Sequence, residues 1–103
     1  HTGNLNATLK ACETIDRMLG RISLSLDAVD GEMLIISDHG NCETMINADG
    51  SPNTAHTTNP VPLILVDKEI IPIGNGVLGD IAPTILKLMA LEIPNAMTGN
   101  PLV

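Results

Sequence analysis

The three histidines of this 103-residue chain all fall in polar, loop-like sequence: His1 in His-Thr-Gly-Asn, His39 in Asp-His-Gly-Asn and His56 in Thr-Ala-His-Thr-Thr-Asn-Pro. None sits on an apolar stripe, where an imidazole would be a packed core side chain; the plain alternative for each is a solvated loop residue. Asp38-His39 directly follows the apolar run Met33-Leu34-Ile35-Ile36, and in open α/β sheets ligands bind beyond the carboxyl ends of strands. A carboxylate and an imidazole side by side there are typical ligands of a borderline divalent ion such as Zn²⁺ or Mn²⁺. Gly40 lets the backbone turn tightly behind them. The competing reading is that Asp38 only ends the strand through an Asx-turn. Two further loop histidines in so short a chain favour a metal site.

The other chemically capable residues read more simply. Cys42, Glu43 and Asp49 lie within reach of such a site, but Cys42 is expected as a small buried thiol and the two acids as solvated loop charges. Asp80 is expected to cap a helix with its own carboxylate. Lys10, Arg17, Arg21 and Lys87 fall on helix faces that point to solvent. Gly74-Asn75-Gly76 lacks the lysine and the strand-to-helix setting of a phosphate loop, and no serine has the His/Asp neighbours of a hydrolase triad. Cys12 and Cys42 are not spaced as a disulfide framework, and two free thiols suit a reducing cytosol.

The elements that must position these residues follow from hydrophobic spacing. Leu5, Leu9, Cys12, Ile15, Leu19, Ile22 and Leu26 recur at steps of three and four, one face of a helix that Asn4 or Asn6 can cap and that Gly20 weakens without forbidding. Asp27 to Gly31 reads as the turn that ends it. Met33–Ile36 and Leu63–Val66 are short continuous apolar runs, the pattern of strands buried on both faces in a parallel sheet. Between them, residues 47–62 form a long polar loop of the kind that is usually functional or disordered. Glu69–Ile73 is a weaker third strand, at an edge because of Pro72. Asp80 opens a last helix with Pro83 in its first turn and Ile81, Ile85, Leu88 and Met89 as its apolar face. Residues 92–103 pack as an irregular tail. Helix, strand, loop, strand, strand, helix makes the fold class α/β.

Composition sets the outer bounds. Five Lys and Arg against twelve Asp and Glu leave a formal charge of -7, the wrong sign for a nucleic-acid or anionic-membrane surface. No apolar run approaches the roughly 18 residues of a spanning helix. There is no Phe, Tyr or Trp, so any core must come from Leu, Ile, Val, Met and Ala. The opening at His1, without an initiator Met, reads as a piece cut from a longer protein.

His1-Thr-Gly-Asn4, Ser37-Asp-His-Gly-Asn41, Thr54-Ala-His-Thr-Thr-Asn-Pro-Val-Pro62, Asp80-Ile-Ala-Pro-Thr-Ile85 and Met97-Thr-Gly99 together closely resemble the cofactor-independent phosphoglycerate mutases, members of the alkaline phosphatase superfamily of two-metal phosphoryl-transfer enzymes. The resemblance runs from the first residue to the last in the family's order and spacing. It implies that residues 1–103 are a C-terminal fragment of the metal-binding phosphatase-like domain, part of a sheet sandwiched by helices. Carried over by position, it implies that Asp38 and His39 bind one ion, the one that also contacts a nucleophilic serine. It implies that His1 and His56 bind the other, which faces the substrate. An Asp four residues before His1, the serine, a further metal-binding aspartate and the side chains that hold phosphoglycerate lie upstream in the family pattern.

The resemblance further implies the reaction. The serine takes the phosphoryl group from one hydroxyl of glycerate and returns it to the other, interconverting 3- and 2-phosphoglycerate in glycolysis and gluconeogenesis. Two divalent cations are implied, Mn²⁺ first with Zn²⁺ or Co²⁺ as alternatives, and no 2,3-bisphosphoglycerate. A cytoplasmic, monomeric parent enzyme is implied, with phosphoglycerate as its partner and neither nucleic acid nor membrane. Another member of the superfamily, a phosphopentomutase or a phosphatase, is the alternative within enzymes; a non-catalytic module is the alternative for the isolated chain. With nucleophile and substrate clamps elsewhere, the 103 residues alone are expected to be inactive. Two protein ligands per ion, where about three are usual, are expected to bind metal weakly.

Overall fold

Asn4, one of the two cap candidates, starts the first helix. In the computed structural model, which describes all 103 residues, Asn4 Oδ1 accepts a hydrogen bond from the Ala7 N–H at 3.0 Å, an N-cap for helix α1 (Leu5–Asp27). The helix ends where the Gly31 N–H donates to the Leu26 carbonyl at 2.9 Å, with Asp30 in the left-handed region at φ 59°. Strand β1 (Met33–Ile36) follows, then the long connection carrying two of the histidines, then β2 (Leu63–Val66). A 3₁₀ turn (Leu78–Asp80) leads into helix α2 (Ile81–Leu88). The chain is thus mixed α/β, with two helices and one small sheet.

Several expectations need correction. β1 and β2 pair antiparallel, Met33 opposite Val66 and Ile36 opposite Leu63, and not parallel. A parallel pair needs a crossover, usually a helix, and residues 37–62 contain none. The strands are half-buried or exposed and not buried on both faces. Glu69–Ile73 forms no strand: Asp67 Oδ1 accepts from the Glu69 N–H at 2.9 Å in a local turn, and Ile70 is fully exposed. No aliphatic core forms either, since the only buried residues are Gly40, Asp80, Pro83 and Thr84. The reason is geometric: the stripe on α1 exists, but Leu5, Leu9, Ile15 and Ile22 face solvent. The radius of gyration, 16.7 Å, accordingly exceeds the about 13 Å of a compact domain this long.

What order there is around α2 comes from polar groups. Asp80 makes no side-chain capping bond to α2, contrary to expectation. Its carboxylate instead accepts from the Val77 N–H at 2.9 Å and the Asn100 N–H at 2.8 Å. Those two donors hold its carboxyl below the usual carboxylate range. On the helix itself Pro83 and Thr84 are the buried residues, while Ile85 and Met89 are exposed. The Thr84 hydroxyl donates to the Asp80 carbonyl at 2.6 Å and accepts from the Leu102 N–H at 3.0 Å, and Gly74 N–H bonds Leu102 O at 2.8 Å. The tail is therefore stitched onto α2, as an irregular packed segment should be. Thr84→Val removes the acceptor from a fully buried site and is expected to cost about 1–3 kcal/mol locally. Hydrogen exchange at the Leu102 amide should quicken by about tenfold or more, measured by NMR.

Candidate metal centre

Three separate stretches of chain converge at the carboxyl end of β1. His39 stands just past that strand, in a turn held by the Ser37 hydroxyl, which donates to the His39 carbonyl at 2.8 Å. His56 arrives on the far side of the connection, where Gly40 and Thr57 form an isolated bridge and the Thr57 N–H donates to the Gly40 carbonyl at 2.8 Å. His1 precedes α1 on a short arm that Gly3 bends. Gly3 has φ +66°, and a Cβ there would strike Pro52, so only glycine lets the arm lie against the loop that leads to His56.

The result is a cluster of three imidazoles. The rings of His39 and His56 stack at 3.5 Å between centroids; His1 lies 4.9 Å from His56 and 5.4 Å from His39. One ligand nitrogen from each falls within 4.8 Å of the other two. Two ligands of a tetrahedral ion at ~2.1 Å sit about 3.4 Å apart, so modest rotation of exposed rings closes the difference. His39 Nδ1 lies 3.1 Å from the Gly40 carbonyl. A carbonyl can only accept, which puts the proton on Nδ1 and leaves the Nε2 lone pair for a cation. Asp38 Oδ1 sits 3.6 Å from that Nε2, and its side chain is 85% exposed against 26% for His39. Its carboxylate makes no Asx-turn. Imidazole nitrogens with one carboxylate form a donor set that suits borderline divalent ions. Asp38 and His39 also border an open cleft of about 1080 Å³ that continues past Asn59 to Gly76 and Ile81.

Of the weaker candidates, Cys42 is exposed, not buried as expected, because its turn faces outward. Asp49 accepts from both the N–H and the hydroxyl of Ser51 in a local turn and is not among the three ligands that converge. Glu43 is exposed but not merely solvated. Its carboxylate accepts from the Thr57 hydroxyl, from Asn59 Nδ2 at 3.0 Å and from the Asn41 N–H at 2.7 Å. These donors, Thr57 foremost, hold its carboxyl down to about 2. A folded-state value below the unfolded one means that the stabilisation is complete above the ordinary glutamate range and fades as pH falls through about 2. A ¹³C titration of the Glu43 carboxyl should therefore show its midpoint far below the ordinary glutamate range.

A family model for the metalloenzyme superfamily matches residues 1–93. Across its whole length the chain is 59% identical to a protein of Flavobacterium johnsoniae named 2,3-bisphosphoglycerate-independent phosphoglycerate mutase. It is 55% identical to the like-named protein of Flavobacterium psychrophilum and 52% to that of Agrobacterium fabrum. The chain spans about a fifth of the length of these relatives, 20%, 20% and 21% respectively.

Proposed function

Because this chain belongs to the metalloenzyme superfamily, we propose that it supplies the metal-binding segment of a 2,3-bisphosphoglycerate-independent phosphoglycerate mutase. One observation carries this reading: three imidazoles from three distant stretches meet beside Asp38 in a chain that matches mutases end to end. Asp38 and His39 hold one cation, consistent with the 3.6 Å between Oδ1 and Nε2. His1 and His56 hold a second, consistent with their rings lying closer than those of His1 and His39. The stacked rings of His39 and His56 would set the two sites side by side, as a two-metal enzyme needs. Mn²⁺ suits this mixed nitrogen and oxygen donor set, with Zn²⁺ or Co²⁺ as alternatives.

The chemistry that such a cation pair supplies when bound is neutralisation of phosphoryl oxygens and acidification of a hydroxyl nucleophile. The residues of this chain orient and polarise. Gly40 O fixes the His39 tautomer, and Asp38 adds the anionic charge that holds a cation at the rim of the cleft. The nucleophilic serine and the clamps for phosphoglycerate belong to other parts of the enzyme, as does the wider, helix-covered sheet that β1 and β2 join. The parent acts as a cytoplasmic monomer that interconverts 3- and 2-phosphoglycerate through a phosphoserine. The 103 residues by themselves turn over neither isomer.

A hybrid enzyme tests the reading. The Flavobacterium johnsoniae relative aligns with this chain over 103 positions, so its corresponding segment can be replaced by these residues. Conversion of 3- to 2-phosphoglycerate by the hybrid is expected, with dependence on added Mn²⁺. A folded hybrid without turnover at any divalent cation overturns it.

A further inference from the structure

We propose that Glu43 is a positioning residue: its carboxylate locks the turn carrying His39 to the strand-like stretch beside His56. The two imidazoles stand on separate segments of an exposed loop, and nothing apolar is buried around them to fix their spacing. What joins the segments is polar. One oxygen of Glu43 accepts from the Thr57 hydroxyl and from Asn59 Nδ2; the other accepts from the Asn41 N–H. Asn41 Nδ2 adds a bond to the Ala55 carbonyl at 2.9 Å. One carboxylate thus spends three of its roughly four acceptor sites on the two segments, and bonds to an ionised acceptor are the stronger kind. Its donors flank the histidines: Asn41 follows His39 by two residues, Thr57 follows His56 directly.

The consequence is preorganisation. Two imidazoles on independent loops must be ordered when they close on a cation, and that entropy subtracts from affinity. A clamp formed beforehand removes the cost. Groups that orient ligands without touching the ion typically contribute 10–100-fold in metal affinity. The inference rests on the proposed metal centre for its purpose, but the clamp itself is a property of the metal-free chain.

The test uses the chain with ¹³C,¹⁵N-labelled histidines and Zn²⁺ as probe. Without metal, the stacked rings at 3.5 Å should give a nuclear Overhauser effect between His39 and His56. Glu43→Ala should abolish it and weaken Zn²⁺ binding by about 10–100-fold in calorimetry. Glu43→Gln, which keeps the shape and part of the hydrogen bonding, should restore most of both. Thr57→Val should weaken both, and Glu43→Ala with Thr57→Val should be no worse than Glu43→Ala alone, because the Thr57 hydroxyl acts on the cluster through the Glu43 carboxylate. An unchanged ring contact in Glu43→Ala, additive losses in the double variant, or no ring contact in the unsubstituted chain would each overturn the proposal. If the ring contact follows this pattern but Zn²⁺ does not bind even to the unsubstituted chain, the clamp stands and the metal centre falls.

Discussion

Replacing His39 with alanine in the hybrid enzyme is expected to lower phosphoglycerate interconversion by about a thousandfold or more, the scale on which lost charge stabilisation reduces catalysis. His39 is the hinge of the cluster. It stacks on His56, lies beside Asp38 Oδ1, and is the most shielded of the three imidazoles. Its loss takes a ligand from one proposed site and the packing surface from the other. Raising Mn²⁺ should restore little, because the defect lies in the placing of charge and not only in occupancy. An enolase-coupled assay across a range of Mn²⁺ concentrations reads both parameters. Full recovery of the rate at high Mn²⁺ would reduce His39 to an affinity determinant.

The second large effect is expected at Gly40, which carries no functional group. A Cβ on this buried residue would overlap the Thr57 hydroxyl and the Glu43 carboxylate, between the two segments that bear His39 and His56. The neighbours are held by hydrogen bonds and cannot swing aside without breaking them. Gly40→Ala should therefore cost about 1–3 kcal/mol through overpacking and part the stacked rings. The Gly40 bridge to Thr57 should open as well, visible as faster hydrogen exchange at the Thr57 amide. Gly20→Ala makes the internal comparison. Nothing lies within 4 Å of its added methyl, and alanine is the better helix former by about 1 kcal/mol. Should Gly40→Ala melt and bind metal like Gly20→Ala, the tight approach of the loops is not what holds the cluster.

How far the sequence alone carries depends on whether a feature is local. The first helix is legible to within a residue, because its stripe and its cap candidates, Asn4 and Asn6, are written in consecutive turns. The strands were legible as strands but not in direction: four apolar residues in a row, as in Met33–Ile36, carry no sign of which way a neighbour runs. Glu69–Ile73 misled because apolar residues suggest a strand even where no partner edge is available. The histidines were legible as a group because all three sit in polar segments, away from any stripe. Glu43 and Asp80 were not. Their partners, Thr57 and Asn59 in one case and Asn100 in the other, are distant in sequence and meet only through the fold, so each acid looked like a solvated charge or a simple cap.

The bare apolar stripe of α1 has a calorimetric consequence. The large heat-capacity increase of unfolding comes from hydrocarbon newly exposed to water, about 12–15 cal/mol/K per residue in ordinary domains. Here Leu5, Leu9, Ile15 and Ile22 are wetted already, so melting these 103 residues should register well under that range. Their stability curve should be correspondingly flat, with little of the curvature that drives denaturation in the cold.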